Sequence, residues 1–295
     1  KLRGEIEDAL DYGIGRFIVD SEPDFKQIED VCKEKNMTAN ILLRITPGVA
    51  ASTHDFIITG KRDSKFGVPL DEDVFYPLAE RAIKSEHINL LGLHFHIGSQ
   101  ILDNDAYLKS LDVMLGLVEE LKKRFGYETK ELNLGGGFGV SCRPDCPGPD
   151  LSACAEALRA QTCALPEALQ GVQLSMSPGR FLAAGGGVLV CRVVAVKPGP
   201  TAVLDVSAAQ CLRLEKRGAY HAAAALRTAG RPPLLQQLTT LEQGAPFARQ
   251  VLPQLRVGDP VIIRMLGADG RSFSCASERC PAYLLRADGT IEPIE

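Results

Sequence analysis

The sequence predicts a parallel α/β barrel, with its first strands missing, followed by a β-rich domain. Three observations carry that expectation. Up to about residue 185, short runs of Leu, Ile and Val alternate with amphipathic helices. Runs without a polar face suit strands covered on both sides of a parallel sheet. Polar and glycine-rich stretches follow several of these runs directly, gathering chemistry where strands end, as a barrel does. After Gly185-Gly186-Gly187 the pattern turns to alternating, β-branched segments. The expected domains are therefore residues 1–187 and 188–295.

Taken in order, residues 1–13 read as a charged amphipathic helix and not as a signal sequence. The helix is entered midway and without Met, so the chain reads as cut at its start. Strands are expected at 17–20, 41–46, 91–96, 131–134 and 172–176, with helices at 24–34, 73–84 and 105–125. In the longest helix Leu108, Leu111, Leu115, Val118 and Leu121 recur at three- and four-residue steps, which gives one apolar stripe. The second domain is expected to hold strands at 188–197, 201–206, 236–240, 260–265 and 283–286. Ala287-Asp288-Gly289 is a hairpin turn signal.

Composition narrows the function. A net charge of −4 offers no basic face to nucleic acid or anionic membrane, and no apolar run approaches the roughly 20 residues of a membrane span. The nine cysteines form no Cys-x-x-Cys pair, which fits the reduced thiols of a cytoplasmic protein. Cys142, Cys146, Cys154 and Cys163 are the only cluster to weigh as a metal site. Their spacing is irregular and no histidine lies near, so no metal is expected.

Three stretches carry the chemistry. Leu134-Gly135-Gly136-Gly137-Phe138-Gly139 runs from a strand into a glycine triplet, and backbone that must approach a phosphate needs residues without Cβ. The same triplet read alone is also a common turn. Ser177-Pro178-Gly179-Arg180, at the next strand end, adds a tight turn and a guanidinium, and barrel enzymes often seat a phosphate between their last two strand ends. The third stretch is His94-Phe95-His96-Ile97-Gly98-Ser99-Gln100. Its two histidines share one face of a strand, which suits a ligand better than a core position.

These motifs resemble those of the pyridoxal-phosphate-dependent ornithine, diaminopimelate and arginine decarboxylases, which use an alanine-racemase-like barrel. GLHFHIGSQ at 92–100, LNLGGGFG at 132–139 and SPGR at 177–180 match in order and spacing, as do LLRITPGV at 42–49 and THDFIITGKRDSKFG at 53–67. The wording is closest to diaminopimelate decarboxylases. The resemblance implies that His96 stacks on the cofactor ring. It implies too that Ser99, the amides of Gly135, Gly136 and Gly137, and Arg180 hold the phosphate. Arg44 would line the barrel near the ring. Arg213 sits where the family binds a substrate carboxylate, with Tyr220 and Glu242 also on the substrate side. Lys65 aligns with a dimer-interface position, and neither it nor Lys61 is expected to be the cofactor lysine. The family's Schiff-base lysine lies on a first strand without counterpart in these residues.

The resemblance also exposes departures. The family carboxylate that faces the pyridine nitrogen is Ser177 here, the catalytic thiol is Leu241, an acidic residue is Ala245, and a phosphate-contacting phenol is Asp269. Two readings follow from the resemblance. One is decarboxylation of a (di)amino acid by a homodimer, or by a heterodimer with a homologue. The other is an impaired homologue that acts by binding a partner. A racemase on the same fold has no support in the motif wording.

Overall fold

The computed structural model describes residues 1–49, 64–141, 147–163, 171–207, 210, 220–242, 248–268 and 280–294. They group into two compact units. The first comprises Lys1–Gly139 and Pro149–Gly179, the second Val140–Gly148 and Arg180–Glu295.

The first unit alternates α1 (Arg3–Tyr12), β1 (Phe17–Val19), α2 (Glu22–Lys35), β2 (Ala39–Thr46), β3 (Val68–Pro69), α3 (Phe75–Lys84), β4 (Ile88–His94), α4 (Asp105–Phe125), β5 (Glu131–Asn133), α5 (Leu151–Cys163) and β6 (Gln173–Ser175). Helix α2 shows why these segments take their form. The Ser21 side chain accepts the Asp24 N–H, Pro23 occupies the first turn, and Asn36 ends the helix in the left-handed region at φ 51°, a combination of start and stop signals. Its buried Phe25, Ile28, Val31 and Cys32 pack into the core between helices and sheet.

The sheet runs β1-β2-β4-β5-β6 with every pairing parallel, and β3 joins β2 off that path. One ion pair crosses it. Arg16, just before β1, bonds Glu131 on β5, although β2 and β4 lie between. Flat strands at this remove would stand about 14 Å apart, three spacings of roughly 4.8 Å. Extended Arg and Glu side chains reach across that gap over one face of the sheet, the concave face of the expected barrel, which holds the polar ends of both residues. Between Ile41 and Leu42 the β2–β4 register shifts by one residue: Leu90 faces Ile41 and Gly92 faces Leu42, with Leu91 left over. Gly92 is needed there, because a Cβ would fall 1.9 Å from the carbonyl oxygen of Glu131.

Helix α6 (Gly179–Ala183) leads into the second unit, which contains β7 (Leu189–Lys197), β8 (Thr201–Leu204), β9 (Ala223–Ala225), β10 (Pro233–Thr239), β11 (Ala248–Pro253), β12 (Pro260–Ile263) and the hairpin β13 (Ala282–Leu285)–β14 (Ile291–Ile294). The six-stranded sheet runs β11-β10-β8-β7-β12-β9, with only β10–β8 parallel. Cys191, Val193, Leu204, Val261 and Ile263 form its separate core. The glycine run at 185–187, expected as a domain boundary, lies inside this unit. A Cβ on Gly187 would sit 2.5 Å from the Cα of Gly267, so two backbones cross there. Asp288 and Gly289 lie in the hairpin turn as the sequence suggests, with Gly289 at φ 88°.

Candidate functional site

Sheet register builds the site. Arg44 lies opposite His94, His94 opposite Asn133, and Asn133 opposite Ser175, while Asp20 directly follows the paired Val19. Residues in register on neighbouring parallel strands face the same way. One polar row thus crosses the concave face near the strand ends. Its members other than His94 are hydrogen-bonded. Arg44 donates to Asp20 at 2.9 Å, and its guanidinium lies 4.8 Å from the centre of the Phe66 ring. Asn133 donates to Ser175 Oγ at 2.8 Å, and its Oδ1 accepts the Gly135 N–H at 2.8 Å. The Ser175 hydroxyl donates to the Glu131 carboxylate.

His94, within this row, and His96, two residues further on, are both neutral. His94 is only 8% exposed and its Nδ1 is buried without a partner. Burial first, then the nearby Arg44 and His96, pulls its pKa down to about 3. For His96 burial and Arg44 act the same way, to about 4. A hydrogen bond agrees with that state: the Gly136 N–H donates to His96 Nδ1 at 3.2 Å, which an Nδ1 carrying a proton cannot accept.

The glycine triplet meets three neighbouring backbones. A Cβ on Gly135 would lie 2.1 Å from the Phe95 carbonyl oxygen, one on Gly136 2.1 Å from that of Ser177, and one on Gly137 2.2 Å from that of Gly98. Gly135 and Gly137 also hold positive φ, at 65° and 103°, where side chains are strained. The glycines are thus required first by close packing of strand ends. The three amides are not equivalent. Those of Gly135 and Gly136 are taken by Asn133 and His96. The Gly137 N–H makes no hydrogen bond to a described residue, and Gly137 alone of the three is partly exposed.

The remaining expected residues are placed as follows. Ser99 is partly buried beyond β4, and Ser177 is exposed, with its N–H donated to the Gly135 carbonyl at 2.8 Å. Arg180 lies in α6 and groups with the second unit. There Tyr220 is partly buried, while Leu241 and Glu242 are exposed. Lys65 is an exposed loop residue 4.8 Å from the centre of the Phe66 ring. Arg213, Lys61, Ala245, Asp269, Cys142 and Cys146 lie outside the described residues. Among those described, no three His, Cys, Asp or Glu side chains gather as metal ligands, and Cys32, Cys154, Cys191 and Cys280 are free thiols.

Sequence reasoning passed over Asp20 and Asn133, whose only signal is a polar residue closing an apolar run. It also passed over Tyr107, which is fully buried under the triplet and donates to the Gly136 carbonyl at 3.0 Å. A phosphorylated aromatic cofactor fits what remains. The free Gly137 amide suits an anion, neutral imidazole suits a ring face, and the unpartnered His94 Nδ1 marks a polar position without a protein partner.

Comparison with known proteins agrees. The family model described as pyridoxal-dependent decarboxylase, pyridoxal binding domain, matches residues 1–184. Diaminopimelate decarboxylase of Bacillus methanolicus is 37% identical over 208 residues, 68% of this chain and 47% of that protein. The Campylobacter jejuni enzyme of the same name is 34% identical over 281 residues, 93% of this chain and 67% of that protein. The chain spans about half the length of the Bacillus methanolicus relative. Among solved structures, diaminopimelate decarboxylase of Helicobacter pylori in complex with L-lysine superposes with a TM-score of 0.87 at 27% identity, covering 99% of this chain and 73% of that one.

Proposed function

The chain belongs to the pyridoxal-dependent decarboxylases, and on that premise we propose that it seats pyridoxal 5'-phosphate at the concave strand ends and serves decarboxylation of a diamino acid of the diaminopimelate type. The observation that carries this is the glycine triplet: two amides lock the loop to Asn133 and His96, and the third is left for an anion. When bound, the cofactor supplies an electron-withdrawing ring that takes up the electron pair left as a carboxylate departs as CO₂.

The chain's own residues do the rest. His96, held by the Gly136 amide, offers a neutral face to the ring. Asp20 holds Arg44 in place on the concave face. Ser177 stands where the family has a carboxylate, so it offers the pyridine nitrogen a hydrogen bond but no charge. By resemblance, Arg213 takes the distal carboxylate of the substrate, and Tyr220 and Glu242 also serve substrate binding. Work in the cytoplasm as a homodimer, or paired with a homologue, accords with the free thiols, and no helix among the described residues is long and apolar enough to cross a membrane.

Leu241 favours a second reading. A side chain without an ionisable proton stands where the family keeps a thiol, so the chain seats the cofactor without turnover and works through a competent homologue. Carboxyl-labelled diaminopimelate, ornithine and lysine, each given with the cofactor, separate the two. Labelled CO₂ from diaminopimelate above the others supports the first reading. Cofactor bound with no CO₂ from any of them selects the second, and absence of cofactor binding removes both.

A further inference from the structure

We propose that Tyr107, on the buried face of α4, is a positioning residue that aims the Gly137 amide at the cofactor phosphate; this rests on the phosphate-cradle reading above. The peptide joining Gly136 to Gly137 is trans and planar, so its carbonyl and its N–H point in opposite directions. Tyr107 holds one end of that unit: its hydroxyl donates to the Gly136 carbonyl at 3.0 Å. The N–H at the other end is the one amide of the triplet without a bond to a described residue. Fixing the carbonyl inward therefore fixes the donor outward.

The clamp matters because glycine flanks this peptide on both sides. Without Cβ atoms, the plane can rotate about the bonds on either side of it at little steric cost. Its neighbours are anchored elsewhere. The Ile101 N–H donates to the Gly137 carbonyl at 2.9 Å, the Gly139 N–H to the Ile101 carbonyl at 2.8 Å, and the Gly136 N–H to His96. None of these bonds touches the 136–137 peptide, whose only hydrogen bond among the described residues is the one from Tyr107. The phenol itself is rigid, being 1% exposed and stacked on Phe138 with centroids 4.4 Å apart and planes 4° from parallel. Burial pushes its pKa well above the usual phenol value, so it remains a donor throughout the working pH range. A buried hydroxyl on the far side of the loop thus acts on a ligand it never touches.

The test compares pyridoxal 5'-phosphate with pyridoxal, which lacks only the phosphate, by equilibrium titration of the wild-type protein and Tyr107→Phe. The variant is expected to bind the phosphorylated form about tenfold more weakly and pyridoxal within a factor of two of wild type, as the loss of one charge-assisted hydrogen bond implies. Equal wild-type affinity for the two ligands would remove the phosphate cradle itself. A wild-type preference retained in full by Tyr107→Phe overturns the role of the phenol and leaves the cradle standing. So does an equal loss of both ligands with a lowered melting temperature, which marks a purely structural hydroxyl. If Tyr107→Phe does not fold, tyrosine fluorinated beside the hydroxyl keeps the shape and strengthens the donor. The preference for the phosphorylated ligand should then rise, and an unchanged preference refutes the inference.

Discussion

Replacing His94 and His96 by asparagine removes two imidazoles that the folded chain keeps neutral, and the consequence should appear as acid resistance. Both folded pKa values lie below the ordinary 6.5, at about 3 for His94 and about 4 for His96. The unfolded chain therefore binds protons that the folded chain refuses. Stability from this source is complete above pH 6.5 and is lost as pH falls through the interval between 6.5 and the folded values. At pH 5 the folded forms are still neutral, so the loss depends on the unfolded value and little on the precise folded one. It comes to about 2 kcal/mol for each histidine, or roughly 4 kcal/mol together if they act independently. Urea unfolding at pH 7.5 and pH 5, on wild type and the double variant, measures it. Carboxylates titrate alike in both proteins, so they cancel in the difference. The wild type should lose about 4 kcal/mol more than the variant between the two pH values. An equal loss in both proteins would mean that the imidazoles are protonated in the fold, and would contradict the acceptor role of His96 Nδ1.

Gly136→Ala forces a methyl to within 2.1 Å of the Ser177 carbonyl oxygen; a thermal melt should show a loss of about 1–3 kcal/mol, with weaker cofactor binding in titration. Arg16→Met leaves the Glu131 carboxylate, 4% exposed, without its cation. The expected cost is about 3 kcal/mol, at the low end for a buried pair because Arg16 is partly exposed, and adding Glu131→Gln should recover part of it. Chemical denaturation of the single and double variants checks both statements.

The fold was legible where periodicity was strong. The five barrel strands and the stripe of α4 follow from their apolar runs and spacing, most plainly in β2, β4 and α4, whose residues are largely buried. Helix α5 was missed. Its cues are weak: Asp150 accepting the Ala153 N–H, and Cys154 and Leu158 buried one turn apart. The three-residue strand β9 is held by pairing with the distant β12, which no local pattern reports, and β11, which pairs back onto the preceding β10, was missed as well. At the site, the sequence located the triplet but not its division of labour. Which amide is free depends on Asn133 and His96 reaching it from two different strands, and that is a property of register. Tyr107 was hidden because a tyrosine within an apolar stripe reads as core, and only its hydroxyl distinguishes it.

Register has a further consequence through the single unpaired residue in β4. Leu90 stands opposite Ile41 on the helix-covered side, and without the shift at Leu91 strict alternation would carry His94 to that same side. The extra residue inverts the phase of everything downstream, so Leu93 and Phe95 join the apolar core while the two imidazoles turn inward. Deleting Leu91 would make Leu90 and Gly92 neighbours and give the same facing by plain alternation, whereas closing the bulge with Leu91 retained would exchange the faces downstream. Which side of this sheet carries the chemistry is set by the pairing of its strands as much as by the kind of residue, and Gly92, with no room for a side chain, is the first residue in the shifted register.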